Sequence, residues 1–85
     1  MKLQRTDEQL TEQDAIELAK TYYGYLDIRK VEAYDNCFSI FQKRDKLPIL
    51  IIYSDLQIMD FGSLTLDLLD FTNKALELGY YEIVE

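Results

Sequence analysis

The groups able to do chemistry in this chain are carboxylates. Sixteen Asp and Glu stand against nine Lys and Arg, and there is no histidine. Asp67 and Asp70 lie three apart on the wet side of an expected helix, and Asp55 and Asp60 flank an expected strand. Acid–base catalysis by two carboxylates needs different surroundings that push their pKa values apart inside a pocket. Carboxylates along one solvated helix face lack that asymmetry. A Mg2+ or Ca2+ site needs several oxygens converging from a loop, and no loop here has that spacing. Without histidine, the commonest general base and the commonest metal ligand near neutral pH are missing.

Cys37 is the sole cysteine. It can form no internal disulfide and cannot complete a structural zinc site. A thiol is a nucleophile only where something lowers its pKa. Cys37 falls in an apolar run, the setting of a buried structural thiol. The glycines Gly24, Gly62 and Gly79 open no phosphate-binding loop. The reading is therefore no enzyme, no cofactor and no metal.

The elements that would position these side chains belong to one domain, residues 1–85, with the first ten expected to fray. Hydrophobic residues make up 48% of the chain, enough for a packed core. Thr11 is the expected N-cap of a first helix over 12–27, with acids in its first turn. Ala15, Ile16, Ala19, Tyr22, Tyr23 and Leu26 follow at helical spacing. Gly24 weakens its last turn by about 1 kcal/mol relative to Ala.

Val31–Tyr34, Cys37–Gln42, Ile49–Tyr53 and Leu56–Phe61 are strand-like, separated by polar turns at Lys43–Leu47 and Ser54–Asp55. The sheet expected from them is three-stranded, an antiparallel meander. Its Ile49–Tyr53 strand is unbroken apolar, which implies a central strand covered on both faces. Ser63 is the expected cap of a second helix over 63–78. Leu64, Leu68, Phe71, Ala75 and Leu78 form its apolar stripe, broadened by Leu69 and Leu76, and Gly79 lies just past its end. Tyr80–Val84 reads as a short extended tail. The fold class is α+β: helix, antiparallel sheet, helix.

Net charge is −7. A nucleic-acid backbone or an anionic membrane needs basic patches, so direct binding to either is not expected. An acidic surface favours a basic protein partner. The charge is uneven: nine acids and eight bases lie up to Lys46, whereas seven acids and one base follow. If Asp55, Asp60, Asp67, Asp70 and Glu77 gather on one face, they present carboxylates at spacings comparable to backbone phosphates. Tyrosine supplies contact area at low entropic cost. Of the seven tyrosines, Tyr22 and Tyr25 are the expected exposed anchors.

In size, element order and the acids Asp55, Asp60, Asp67 and Asp70, the chain resembles the small acidic anti-CRISPR proteins of phages that infect Gram-positive hosts. The resemblance implies a nucleic-acid mimic, a phage or mobile-element inhibitor occupying the basic nucleic-acid-binding surface of a host defence protein. The alternatives are an immunity protein or antitoxin neutralising a basic nuclease, and a homodimeric structural or accessory protein using leftover apolar sheet surface. No signal peptide is visible in Met1–Leu10, and Ile49–Tyr53 is too short to cross a bilayer, so a cytoplasmic location is expected.

Overall fold

The computed structural model describes residues 2–24, 26–43, 45–62 and 68–84. The elements are β1 (Lys2–Arg5), α1 (Glu12–Tyr23), β2 (Ile28–Ala33), β3 (Cys37–Gln42), β4 (Leu50–Tyr53), β5 (Ile58–Asp60), α2 (Leu69–Glu77) and β6 (Tyr81–Val84). The class is α+β. The strands form a four-stranded sheet in the order β2-β3-β4-β5 and a two-stranded sheet of β1 and β6.

Helix α1 begins where Thr11 accepts a hydrogen bond from the Asp14 N–H at 3.2 Å. Glu12 and Asp14 complement the positive end of the helix, and Lys20 its negative end. Ala15, Leu18, Ala19 and Tyr22 make the buried stripe. A buried leucine such as Leu18 contributes about 2 kcal/mol relative to exposure. Gly24 ends the helix at φ +77°, a conformation costly for residues with a Cβ. The helix is therefore shorter than the expected 12–27. Leu26 is buried, but from the loop beyond the helix.

The meander is confirmed as antiparallel throughout, but with four strands in place of three. The fourth is β5, whose Ile58 and Met59 face Ile52 and Ile51 of β4. Leu56, expected in that strand, lies instead in the preceding turn at φ +67°, with its side chain in the core. Strand β2 starts at Ile28, three residues earlier than expected, with a register irregularity between Ile28 and Lys30.

Strand β4 is internal, as its apolar run implies. It is not covered on both faces: Leu50 and Ile52 are fully buried, while Ile51 and Tyr53 are half-buried. Ile40, Leu50 and Ile52 share the core with the α1 stripe and with Phe71 and Ala75 of α2. Ile51 pairs with Ser39, and Tyr53 with Cys37, on the opposite face. Cys37 is thus half-buried on that second face, not sealed in the core.

The second helix starts at Leu69, with Leu68 at its N-cap, later than the expected Ser63. Ser63, Leu64 and Asp67 lie outside the described residues. Phe71 and Ala75 are buried, but Leu68 and Leu69 are exposed, so the expected stripe is interrupted at its start. Past the helix, the Gly79 N–H donates to the Leu76 carbonyl at 3.1 Å and the Tyr80 N–H to that of Ala75 at 2.9 Å. With Gly79 at φ +93°, this is a Schellman ending.

The first ten residues do not simply fray. Lys2–Arg5 pairs with Tyr81–Val84, so the expected extended tail is a strand with a partner. The apolar Leu3 and Ile83 face each other across this ribbon and supply its cross-strand contact.

Candidate functional site

Arg5 anchors the site. Its Nη1 donates to the carbonyls of Thr6 at 2.8 Å and Tyr80 at 3.2 Å. Its Nη2 donates to those of Glu8 at 2.8 Å and Ser54 at 3.1 Å. The guanidinium also lies 5.3 Å from the centre of the Tyr80 ring. Thr6 Oγ1 donates to the Gly79 carbonyl at 2.6 Å. The β1–α1 segment is thereby fastened both to the α2–β6 junction and to the β4–β5 turn. That turn is joined to the β2–β3 turn by the Ser54 N–H, which donates to the Asn36 carbonyl at 2.9 Å.

Three loops tied in this way enclose a cleft of about 530 Å3. Asp7 and Glu8 line one side, with Asp35 and Asp55 supplied by the two turns. All four are exposed, and none is in an ion pair among the described residues. Arg5 is the only cation in the lining among the described residues, and its two Nη groups are spent on carbonyls while its Nε is buried without a partner. Asp55 also accepts from the Gln57 N–H at 3.1 Å, which holds the turn. The ring of Tyr34 stands at the rim, 56% exposed. Such a lining attracts cations along a surface: among the described residues, no three His, Cys, Asp or Glu groups converge so as to hold a metal ion. A second cleft, of about 500 Å3, is lined by Leu47 and Phe61 and carries both signs of charge, Asp45 and Lys46.

Among the described residues, those singled out from the sequence do not gather at one site, and the contact between them is the bond from Tyr22 to Asp60. Of the described ones, only Asp55 reaches the cleft. Asp60 is not a surface acid: it accepts from Tyr22 at 2.9 Å, from the Tyr23 hydroxyl, and from the Gly62 N–H at 2.8 Å. Tyr22 is no exposed anchor, being 8% exposed with its ring edge-on to Phe71. Asp70 and Glu77 are exposed on α2, and Glu77 pairs with Lys74 at 3.6 Å. Asp67 and Tyr25 lie outside the described residues. The acids after Leu47 therefore do not gather on one patch among the described residues.

A third tyrosine–aspartate bond fastens the other end of α1, where Tyr80 donates to Asp14. Burial, followed by the bond to Asp60 and the charge of that carboxylate, pushes the Tyr23 phenol up from its ordinary value. Burial and then the bond to Asp14 raise that of Tyr80. Both phenols stay protonated and act as donors that brace the fold.

Sequence reasoning missed Asp7, Glu8, Tyr34 and Asp35. The available signals were the Asp7–Glu8 doublet just before the Thr11 cap and the Tyr34–Asp35–Asn36 tip between two strands. No known protein family, curated protein or solved structure matches the chain. Among the described residues, no helix is long and apolar enough to cross a membrane.

Proposed function

We propose that this protein is a non-enzymatic binding module whose acidic cleft receives a basic segment of another protein. In this reading it is an inhibitor that occupies the partner's nucleic-acid-binding surface. The observation that carries the proposal is the set of four carboxylates, Asp7, Glu8, Asp35 and Asp55, brought to one cleft with no ion-pair partner among the described residues. Low-dielectric walls around charges of one sign focus the field and attract the opposite charge. Tyr34 at the rim provides a ring face for an arginine or lysine side chain. The anti-CRISPR-like role is the finer form of the same proposal and asks for the same chemistry.

The test is binding of a fluorescein-labelled oligoarginine peptide across a salt series. Affinity should fall steeply as salt rises, because contacts between exposed charges are screened over about 10 Å at 0.1 M salt. The variant with Asp7→Asn, Glu8→Gln, Asp35→Asn and Asp55→Asn should lose most of the binding. Asp70→Asn, on α2, should leave it unchanged. Equal affinity of the cleft variant and wild type would sink the proposal.

A further inference from the structure

Strand β2 lies at the edge of the four-stranded sheet, with β3 on one side and no described strand on the other. Unpaired strand edges are templates for another strand. The other edge, β5, has only three residues, against six in β2. Lys30 and Glu32 project from the same face of β2, and their charged groups are 3.9 Å apart. They are symmetric about Val31 in the sequence.

We infer that β2 is a self-association edge, pairing antiparallel with β2 of a second copy about a two-fold axis at Val31. In that register Lys30 stands opposite the partner's Glu32, and Glu32 opposite the partner's Lys30. Two opposite-charge cross-strand pairs form at once, and the two copies share an eight-stranded sheet. Val31 meets its own counterpart on the face that carries Ile40, its β3 neighbour. Arg29 falls opposite Ala33, a small side chain that leaves it room. No such complementarity arises at the free edges of the ribbon. Two-fold pairing of β1 about Leu3–Gln4 sets Lys2 against Arg5, and pairing of β6 about Ile83 leaves Glu82 without a cation. The bulge between Ile28 and Lys30 ends the new ladder at Arg29, so that it spans the residues from Arg29 to Ala33 symmetric about Val31. This inference is independent of the acidic cleft.

Sedimentation velocity of the full chain over a wide concentration range provides the test. Wild type should show a monomer–dimer equilibrium. Lys30→Glu and Glu32→Lys each place like charges opposite one another twice, and each should weaken association on the order of tenfold. The double variant K30E/E32K restores opposite pairs and should recover wild-type association. Circular dichroism establishes that each variant is folded. Hydrogen exchange of wild type supplies a readout free of mutation: amides of β2 should gain protection as concentration rises, while those of β5 should not. A wild-type chain that stays monomeric at millimolar concentration overturns the inference. So does a dimer indifferent to both reversals, or one that the double variant fails to restore.

Discussion

Arg5 Nη2 donates to the main-chain carbonyl of Ser54 at 3.1 Å, joining the segment before α1 to the turn between β4 and β5. The same guanidinium reaches three further carbonyls, so one side chain sets the width of the acidic cleft. Arg5→Ala should destabilise the protein by about 2–3 kcal/mol, because several charge-assisted bonds are lost and carbonyls are left unpaired. Arg5→Lys keeps the charge but not the planar fork, and should recover less than half of that loss. Urea denaturation measures both. Recovery of full stability with lysine would show that charge alone matters at this position.

Alkaline pH should weaken the fold through Tyr23 and Tyr80, whose pKa values are both raised in the native state. In the unfolded chain a tyrosine ionises near pH 10. Below about pH 10 the phenols are protonated in both states, and their bonds to Asp60 and Asp14 contribute in full. Above it, the unfolded chain releases protons that the folded tyrosines retain, so stability falls as pH rises through the native values. Denaturation midpoints between about pH 8 and 12 should show this decline. It should be shallower in Tyr23→Phe, and shallower again when Tyr80→Phe is added. An unchanged slope in the double variant would refute the linkage.

Leu56 sets two effects against each other. Its backbone is left-handed at φ +67°, which costs a residue with a Cβ about 1–2 kcal/mol. Its side chain is 6% exposed within the core, a burial that contributes about 2–3 kcal/mol. Leu56→Gly relieves the first and forfeits the second. The expected outcome is a net loss of about 1 kcal/mol, visible in thermal melts. A stabilised variant would mean that backbone strain outweighs the buried leucine.

Gly62→Ala tests the Asp60 node without removing any of its polar groups. A Cβ at this position would lie 2.7 Å from the Tyr23 hydroxyl oxygen and 3.1 Å from Asp60 Oδ1. Gly62→Ala should therefore displace the phenol and lower stability by about 1 kcal/mol, the net worth of one hydrogen bond. In the Tyr23→Phe background the added cost should largely vanish. Additivity of the two changes would argue against a shared node.

The local elements were legible because their signals are local. Thr11 is the cap of α1, Gly79 the left-handed residue after α2, and Cys37–Gln42 the strand β3. Pairing of Lys2–Arg5 with Tyr81–Val84 was not, since it joins the two ends of the sequence and leaves no mark in either segment alone. The partial burial of Ile51 and Tyr53 was hidden by an apolar run that resembles a strand buried on both sides. Charge misled for a related reason. The first half is nearly neutral on balance, yet folding carries Asp7, Glu8 and Asp35 to the cleft while Arg29 and Lys30 go to β2. Net charge along the chain does not show which acids a fold leaves unpaired. The tyrosines followed the same logic, because Tyr22, Tyr23 and Tyr80 find aspartates that only tertiary structure brings near.

The ribbon of β1 and β6 has a mechanical consequence. Lys2 and Val84 face each other as cross-strand neighbours. Tension applied at these two residues would act along the ladder's hydrogen bonds, which run perpendicular to antiparallel strands. Rungs loaded in that direction rupture one after another instead of sharing the load, so the ribbon should peel open at low force while α1 and the larger sheet still resist.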